Sequence, residues 1–380
     1  MTLRPRGCVR ASPMTRAALL ALLALLVLPL ALAPRAEAFV YWTDVVTGEI
    51  GRANLDGSGV DKSFIPQAHS ALSVAVGGAH VYWTSPSTGT IGRANLDGSG
   101  VDQSFISGPT RPEWLAIDAG HIFWTNGGIP PSHTISRANL DGTGVEWNFL
   151  VNVMYPWGLA VDAAHLYWYS AGQHTIGRAN LDGSGVESNF ISSLPPLEGL
   201  AVDADHVYWT NRTPGTIGRA NLDGSGVDQS FITGASGGIG GVAVDAGHLY
   251  WANGNTIGSA NLDGTDIDQS FITGVGYPAG IAVSFSLGRL NTDNRKGTAK
   301  LTVDVPAPGD VAMTQTNKVK GAGVRAEAAG EVQLAIKPRG RAKEKLVETG
   351  KAKVKVDVTY TPDGGQPSTQ TMTLKLIERG

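Results

Sequence analysis

Apolar and polar positions alternate along most of the chain in short runs, and the runs recur in a fixed order. In one copy, residues 199–203 and 206–210 are mostly apolar, residues 216–222 alternate with period two, and residues 226–232 form a fourth run. The Asp-Gly pair between the third and fourth runs indicates a hairpin turn. Runs of this length and period predict strands, so each copy predicts four antiparallel strands.

The four-run unit recurs throughout residues 39–285. A tryptophan marks the second run of every copy, at Trp42, Trp83, Trp124, Trp168, Trp209 and Trp251. An Asn-Leu-Asp-Gly sequence marks the third run, beginning at Asn54, Asn95, Asn139, Asn180, Asn221 and Asn261. Successive copies lie 40 to 44 residues apart, a period typical of propeller blades or solenoid units.

The two ends of the array distinguish these architectures. The first copy starts at Phe39 and lacks a first strand, whereas residues 280–284 supply a first strand with nothing after it. Pairing of these two fragments would complete a sixth unit and remove the exposed sheet edges of a partial ring. A solenoid would end in atypical caps instead. We therefore expect an all-β chain in which residues 39–285 form a six-bladed β-propeller closed by residues 280–284.

The repeated motifs also carry a family resemblance. They are Tyr41-Trp42-Thr43-Asp44, the Gly-Leu-Ala-Val-Asp strands and the Ile-x-Arg-Ala-Asn-Leu-Asp-Gly-Ser segments. The unit resembles the YWTD repeat, the class B repeat of the low-density lipoprotein receptor, over about residues 39–285. This resemblance implies a six-bladed propeller of a kind that is often extracellular and engaged in protein binding. The family's aspartate survives only as Asp44, so no particular ligand is implied.

The first 38 residues predict an export signal peptide. Four arginines precede an apolar run at residues 17–33, and Ala36-Glu37-Ala38 fits a cleavage site with small residues. The apolar run is short for a membrane span, so we expect cleavage rather than anchoring. The single cysteine, Cys8, lies inside this segment, so the mature protein would have no disulfide. The expected location is secreted or associated with the cell envelope.

Charge divides the remaining chain into two parts. Residues 39–285 carry 8 Lys/Arg and 22 Asp/Glu, a net charge of −14, whereas residues 286–380 carry 17 and 10, a net charge of +7. This asymmetry is typical of separate domains. We expect no nucleic-acid partner, because the chain is predicted to be exported.

The basic part, residues 286–380, predicts a small immunoglobulin-like β-sandwich. Period-two alternation occurs at residues 299–305, 332–336, 352–360 and 371–376. A short helix is expected at residues 341–348. The basic stretch at residues 337–355 either attracts an anionic cell-envelope polymer or lipid surface, or is a solvated sheet face.

Residues that recur in the blades are expected to be scaffold. Histidines three residues before the tryptophans would be spread evenly around one rim, too far apart to share a ligand: His80, His121, His165, His206 and His248. Recurring arginines are expected to pair with carboxylates of the same or a neighbouring blade: Arg52, Arg93, Arg137, Arg178 and Arg219. The Asp-Gly-Ser-Gly runs do not fit a calcium-binding EF-hand loop, because Arg52 would replace the first acidic ligand.

Function is expected where the units differ, on loops held by a rigid frame. In the third unit Trp114 replaces a recurring glycine, and one position earlier stand Glu113, Trp157 and Glu198 in successive units. These positions predict an asymmetric patch of aromatic and carboxylate groups at the channel mouth. The candidate ligand-binding residues are Arg111, Glu113, Trp114, Asn126, Tyr155, Trp157, Tyr169, Glu198, Asn211, Arg212 and Tyr277. His133 and His174 stand where other units have glycine, and they are the candidate metal ligands, but no metal or other cofactor is predicted.

The patch favours a monomeric, non-enzymatic binding protein that recognises a peptide or glycan, with Trp114 and Trp157 either contacting the ligand or plugging the channel. The alternative is a propeller enzyme of the lactonase, lyase or sugar-dehydrogenase type, with Glu113 and Glu198 as acid and base. Strand positions place these glutamates two blades apart, about 16 Å for a mouth radius of ~9 Å. Glycosidase carboxylate pairs need ~5–9.5 Å, so binding is the predicted function.

Overall fold

A computed structural model describes residues 38–378 except 67, 78–79, 119, 128–132, 163, 204, 237–238, 246, 285, 294–295, 306–308, 328–329 and 363–367. The predicted signal peptide lies outside the described residues apart from Ala38. Within the described part of the chain, strands dominate and a single helix is present. None of the helical structure found there is long and apolar enough to cross a membrane.

Six four-stranded antiparallel sheets follow one another along the repeats and form the blades. Blade 1 begins with β1 (Phe39–Asp44), β2 (Glu49–Asn54) and β3 (Asp61–Ile65). Blade 2 contains β4 (Val74–Gly77), β5 (His80–Ser85), β6 (Thr90–Asn95) and β7 (Asp102–Ser107). Blade 3 contains β8 (Pro112–Ile117), β9 (His121–Asn126), β10 (Thr134–Asn139) and β11 (Glu146–Leu150).

The later blades repeat this arrangement. Blade 4 contains β12 (Pro156–Val161), β13 (His165–Ser170), β14 (Thr175–Asn180) and β15 (Glu187–Ile191). Blade 5 contains β16 (Leu197–Val202), β17 (His206–Asn211), β18 (Thr216–Asn221) and β19 (Asp228–Ile232). Blade 6 contains β20 (Ile239–Val244), β21 (His248–Asn253), β22 (Thr256–Asn261) and β23 (Asp268–Thr273), and β24 (Pro278–Val283) follows it.

The last strand of the array completes the first blade. β24 pairs antiparallel with β1, so that Val283 lies opposite Val40 and Ile281 opposite Trp42. The innermost strands β4, β8, β12, β16, β20 and β24 contact one another in a closed cycle. The sheets therefore form a closed β-propeller, and its closing strand covers Pro278–Val283 where residues 280–284 were expected.

The blade tryptophans form the core of the propeller. All six are at most 1% exposed. In blade 4 the indole of Trp168 lies across Gly177 on the neighbouring strand, and a Cβ atom at Gly177 would overlap the indole. Blade 3 differs, because Ser136 lies opposite Trp124 and Asn126 accepts the indole Nε1–H at 3.2 Å. Blade 3 therefore departs from the repeat in its core as well as in its loops.

The recurring histidines belong to tight turns between the first and second strands. In blade 4, Asp162 Oδ1 accepts the amide hydrogen of His165 at 2.6 Å, while Asp162 Oδ2 accepts the hydroxyl of Tyr167 at 2.9 Å. The same Asp–His spacing recurs at Asp118–His121, Asp203–His206 and Asp245–His248. These contacts fit the expected structural role of the histidines.

The recurring arginines join adjacent blades. Arg178 lies 4.0 Å from the ring centre of Phe190, donates to the carbonyl of Leu222 in the next blade at 3.0 Å, and pairs with Glu187 at 2.9 Å. Arg137 also pairs with a carboxylate of its own blade. Cation–π stacking on a phenylalanine is shared by all five arginines, an interaction that the sequence analysis did not anticipate.

The Asn-Leu-Asp-Gly-Ser segments form the hairpins expected of them. Asp97 Oδ1 accepts the amide and hydroxyl hydrogens of Ser99 at 2.9 and 2.6 Å. These two hydrogen bonds lower the pKa of Asp97. The carboxylate is therefore occupied by its own turn, as turn chemistry requires.

The C-terminal part contains two antiparallel sheets that share one core. β25 (Ser286–Asp293), β26 (Thr298–Val305) and β29 (Gly330–Ile336) form one sheet. β27 (Gly309–Met313), β28 (Ala322–Ala326), β30 (Lys351–Pro362) and β31 (Ser368–Ile377) form the other, in the order β28-β27-β30-β31. The helix α1 (Gly340–Thr349) packs on this core through Ala342 and Leu346. Its position agrees with the helix expected at residues 341–348.

Candidate functional site

One face of the propeller gathers the residues that break the repeat. Antiparallel pairing brings to this face, here called the upper face, the start of each innermost strand and the turn between the second and third strands. Equivalent positions at the inner edge of the upper face, here called the channel mouth, are Leu72, Glu113, Trp157, Glu198, Gly240 and Ala279. Large polar or aromatic side chains therefore occupy this position in blades 3 to 5, whereas the residues at this position in blades 6 and 1 are small.

Irregular strand pairing directs these side chains. The register between β8 and β9 shifts between Pro112 and Leu115, and the register between β16 and β17 shifts between Leu197 and Leu200. Bulges of this kind disturb the alternation of side chains and re-aim them. Glu113 and Glu198 both lie within the shifted segments.

Glu113 is a buried carboxylate held by an exposed arginine. Its side chain is 4% exposed, and Oε1 lies 3.1 Å from Nε of Arg111, whose side chain is 64% exposed. The carboxyl group packs against Gly127, where a Cβ atom would overlap it. Burial raises the pKa of Glu113, the charge of Arg111 opposes this, and the charge of Glu198 adds to it. Glu113 is thus a partly desolvated carboxyl group that is paired with one arginine.

Glu198 is also paired with an exposed arginine, and in addition it accepts a hydrogen bond from a tryptophan. Its side chain is 17% exposed, Oε1 lies 3.3 Å from Nη1 of Arg212, and Oε2 accepts the Nε1–H of Trp157 at 2.9 Å. Arg212 follows the second strand of blade 5, where blade 3 has Gly127, and its side chain is 65% exposed. Burial raises the pKa of Glu198, while Trp157 and Arg212 lower it.

The two tryptophans of the mouth meet each other and differ in exposure. The ring centres of Trp114 and Trp157 are 6.4 Å apart at an interplanar angle of 57°. Trp114 is 6% exposed and packs with Leu159 in the core between blades 3 and 4, whereas Trp157 is half-buried. Trp114 is therefore part of the core between blades 3 and 4, and Trp157 bridges Trp114 to Glu198.

Arg111, Tyr155 and Tyr277 occupy equivalent rim positions, because the backbone carbonyl of each accepts the amide hydrogen of the residue after the second strand of its blade. Tyr155 is 49% exposed and Tyr277 47%. Arg111 and Tyr155 both have φ of 51°, a left-handed conformation that non-glycine residues seldom adopt. Such strain persists only where the surrounding structure imposes it.

Other candidates are occupied by local partners. Tyr169 is 2% exposed, and its hydroxyl contacts His174 Nδ1 at 3.1 Å and the carbonyl of Pro195 at 3.3 Å. Burial raises the pKa of Tyr169. His133 stacks on Tyr155 with ring centres 3.8 Å apart. Among the described residues, no three His, Cys, Asp or Glu side chains are grouped so as to hold a metal ion.

Asn126 and Asn211 do not reach the mouth group. Asn211 is fully buried, and its Nδ2 donates to Thr216 Oγ1 at 2.8 Å and to the carbonyl of Gln229 at 2.7 Å. Asn126 is similarly buried, and its Nδ2 donates to Ser136 Oγ at 2.7 Å. The Asn211 amide ties the second, third and fourth strands of blade 5 together, and the Asn126 amide ties the second and third strands of blade 3 together.

The sequence analysis missed Trp147, which is 42% exposed in β11. Blades 2, 5 and 6 have glutamine at the equivalent position, Gln103, Gln229 and Gln269. The difference between the repeats is therefore visible in the sequence, but it lies in the fourth strand, outside the innermost strands and loops in which function is expected.

The mouth combines two carboxylates, two guanidinium groups and an indole N–H in one network. Because the charge of Glu198 raises the pKa of Glu113, the two carboxylates interact electrostatically. The separation of about 16 Å between Glu113 and Glu198 that follows from strand spacing stays a prediction. Chemically, the group can orient hydrogen-bond donors toward an anionic ligand, or exchange protons through two acids with raised pKa values.

Comparison with known proteins supports the fold. No protein-family profile and no curated protein matches the chain. A chain in the crystal structure of a nidogen/laminin complex is similar over 65% of this chain and 98% of its own length, with 22% identity and a TM-score of 0.56. A streptogramin B lyase is similar over 73% of this chain and 93% of its own length, with 15% identity and a TM-score of 0.49. A gluconolactonase from Xanthomonas campestris is similar over 81% of this chain and 98% of its own length, with 14% identity and a TM-score of 0.47. The similarity to the chain of the nidogen/laminin complex supports the β-propeller fold and shows the fold alone, so it does not separate binding from catalysis.

Proposed function

We propose that the channel mouth binds an acidic peptide or an acidic segment of a protein partner. The observation that carries this proposal is that two exposed arginines are each held by a glutamate: Arg111 lies 3.1 Å from the buried Glu113, and Arg212 lies 3.3 Å from the partly buried Glu198. A guanidinium group has five N–H donors. Arg111 meets its glutamate through Nε and Arg212 through Nη1, which leaves further donors of each group for a ligand carboxylate.

Fixing the arginines in advance favours binding. A ligand that meets a free arginine must immobilise it, at about 0.5–1.5 kcal/mol for each flexible side chain. Here the glutamates have already restricted both guanidinium groups. Paired N–H donors match the two oxygens of a carboxylate, so an aspartate or glutamate side chain is the expected contact.

The surrounding surface has the composition of a protein interface. Exposed Met154, Tyr155 and Tyr277 lie on connections of the upper face, together with Val46. Aromatic residues, methionine and arginine are enriched in the cores of protein–protein interfaces. These apolar groups would supply buried area, while the two arginines would provide specificity.

Selection from a displayed peptide library on the immobilised protein tests the proposal. We expect the selected peptides to be rich in Asp and Glu, and Arg111→Gln and Arg212→Gln each to weaken binding about tenfold or more, because one charge-assisted contact contributes about 1.5–3 kcal/mol. Arg325→Gln is the matched control, since Arg325 is a partly exposed arginine paired with Asp310 in the C-terminal part. Selection of peptides without acidic residues, or unchanged binding by both mouth variants, would reject the proposal.

A second candidate function is acid–base catalysis at the same mouth. It is favoured by the raised pKa values of Glu113 and Glu198, since such shifts are typical of groups that exchange protons. The reactions to test are ring opening of lactones, elimination from sugar acids and sugar oxidation. Turnover that is abolished by Glu113→Gln and by Glu198→Gln would establish this alternative over simple binding.

We further propose that the protein is exported and that its C-terminal part contacts an anionic polymer of the cell envelope. Lys351, Lys353 and Lys355 alternate with buried residues along β30, and Lys375 of β31 lies directly opposite Lys353. Like charges in this relation destabilise a sheet, so folding alone does not favour them. The immunoglobulin-like topology stays a prediction.

The export proposal is tested by N-terminal sequencing of the secreted protein, which should begin at Phe39. The polymer proposal is tested by retention on immobilised polyphosphate in rising salt. Replacement of Lys351, Lys353 and Lys355 with glutamine should lower the salt concentration needed for release. A matched triple change of the exposed helix residues Arg341, Lys343 and Lys345 should have the smaller effect, and the opposite order would contradict the assignment to β30.

A further inference from the structure

A second recognition site is indicated beside the fourth strand of blade 3, and neither glutamate lines it. The second residue of the fourth strand is polar in five blades and aromatic in one: Lys62, Gln103, Trp147, Ser188, Gln229 and Gln269. Trp147 is therefore the single aromatic residue among the six equivalents. A large exposed aromatic side chain at one position of a repeat is not required by the propeller core, since the other blades form without it.

Blade 6 shows what the usual glutamine does. Gln269 Nε2 donates to the carbonyl of Thr233 at 3.1 Å, and its Oε1 accepts from Asn253 Nδ2 at 3.1 Å. The glutamine amide thus fills the space between blades 5 and 6. In blade 3 no such amide is available, and the indole of Trp147 instead packs against Gly108 at the end of blade 2, where a Cβ atom would be 3.4 Å away.

The exchange of glutamine for tryptophan is accompanied by an open cleft. The cleft has a volume of about 300 Å³ and is lined by Gly108, Thr110, Asn126, Thr134, Trp147 and Asn148. Its described lining offers hydroxyl groups, amides and one indole, and no charged side chain. The volume is at the lower end of the range for small-molecule sites.

The cleft is held in shape by hydrogen bonds beneath it. Asn126 Nδ2 donates to Thr134 Oγ1 at 2.9 Å and to Ser136 Oγ at 2.7 Å, and Ser136 Oγ donates to the carbonyl of Trp147 at 2.5 Å. The ring of Trp147 meets Trp124 edge to face at 5.9 Å. Ser136 stands where blades 1, 2, 4, 5 and 6 have glycine, so two departures from the repeat act together to position Trp147.

We propose that this cleft binds a neutral saccharide ring. One face of a pyranose carries C–H groups that stack on an indole, and its edge carries hydroxyl groups that bond to amides and hydroxyls. A charged ligand would lose hydration without a compensating partner. A purely apolar ligand would displace water from the exposed Thr110 hydroxyl and Asn148 amide without replacing its hydrogen bonds, which costs about 1–3 kcal/mol for each group. The uncharged, half-polar lining therefore selects a mono- or disaccharide.

The test is an array of neutral hexose and N-acetylhexosamine oligosaccharides, followed by calorimetric titration of the purified protein with the best ligand. We expect Trp147→Gln to weaken binding at least tenfold and Trp147→Phe to weaken it less. The glutamine variant restores the residue that three other blades carry, so it should unfold at the same temperature as the wild type. A second variant, Asn148→Ala, should weaken binding without touching the aromatic platform.

Control variants separate this site from the channel mouth. Gln269→Ala alters the equivalent position of blade 6, and Arg111→Gln alters the mouth, so neither should change saccharide affinity. Absence of binding to any neutral saccharide at millimolar concentration would overturn the proposal. So would equal affinity of the wild type and Trp147→Gln, or a preference for charged over neutral sugars. Failure of peptide binding at the mouth has no bearing on this result.

Discussion

Replacing Trp157 with phenylalanine tests whether the mouth is a charge-assisted network or only packed aromatic surface. The change keeps an aromatic ring and removes the N–H that donates to Glu198 at 2.9 Å. A hydrogen bond to an ionised group contributes about 1.5–3 kcal/mol. Because the Glu198 side chain is 17% exposed and keeps Arg212, we expect the lower end, about 1.5 kcal/mol. A propeller of this size should then melt about 3–6 °C lower.

The loss should grow with pH. Trp157 lowers the pKa of Glu198 against the effect of burial, so Trp157→Phe should raise that pKa further. A group whose pKa is raised by folding makes the protein less stable as the pH rises from the group's ordinary pKa through its folded pKa. The variant should therefore be closer to the wild type at about pH 4, where most Glu198 side chains bind a proton in both the folded and the unfolded state, since the ordinary glutamate pKa is about 4.3. It should show its full deficit near pH 8.

The measurement is urea unfolding followed by tryptophan fluorescence. All nine tryptophans precede residue 285, so the signal reports the propeller and not the C-terminal part. The wild type, Trp157→Phe, Glu198→Gln and the double variant form a cycle that isolates the pair interaction. We expect a coupling free energy of about 1–1.5 kcal/mol at pH 8 and almost none at pH 4. An equal deficit at both pH values, unchanged in the Glu198→Gln background, would refute the charge-assisted bond.

Three other substitutions test the frame and the second acid. Gly177→Ala should destabilise the propeller by about 1–3 kcal/mol in urea, because its Cβ atom overlaps the indole of Trp168, and a neutral effect would contradict that packing. Ile281→Asp places a charge in the closing strand, where Ile281 is 7% exposed; it should abolish the cooperative fluorescence transition, and a transition of wild-type midpoint would show that ring closure does not need this strand. Glu113→Gln should gain stability over the wild type as pH rises, since burial raises the pKa of Glu113, whereas a constant difference from pH 4 to 8 would assign the effect to packing.

The sequence predicted the propeller because its folding rules are repeated in every blade. The tryptophan, the glycine beneath it and the Asp-Gly hairpin recur with a fixed period, and the two incomplete ends indicate closure. In the C-terminal part the pattern predicted β26, β29, β30 and β31 but not the strands at Ser286–Asp293, Gly309–Met313 and Ala322–Ala326. These three contain few β-branched residues, so their strand structure depends on pairing with neighbours rather than on local preference.

The candidate site could be predicted only in outline. Comparing the units identified which positions differ, and it placed Glu113, Trp157 and Glu198 at one mouth. It could not tell which side chains face the mouth, because the period-two rule fails within the register shifts of the innermost strands. Asn126 and Asn211 are candidates because they stand beside the loops of the mouth, although both amides bond within their own blades.

The features that break the repeat share one property, which is that they do not favour folding. Glu113 is buried and Glu198 is partly buried, and burial raises the pKa of both carboxyl groups. Blades 6 and 1 close the same ring with only Gly240 and Ala279 at the corresponding mouth positions. At these positions the adjacent blades 3, 4 and 5 carry Glu113, Trp157 and Glu198 instead. The recognition proposed for the upper face accounts for this clustering, whereas stability does not require it.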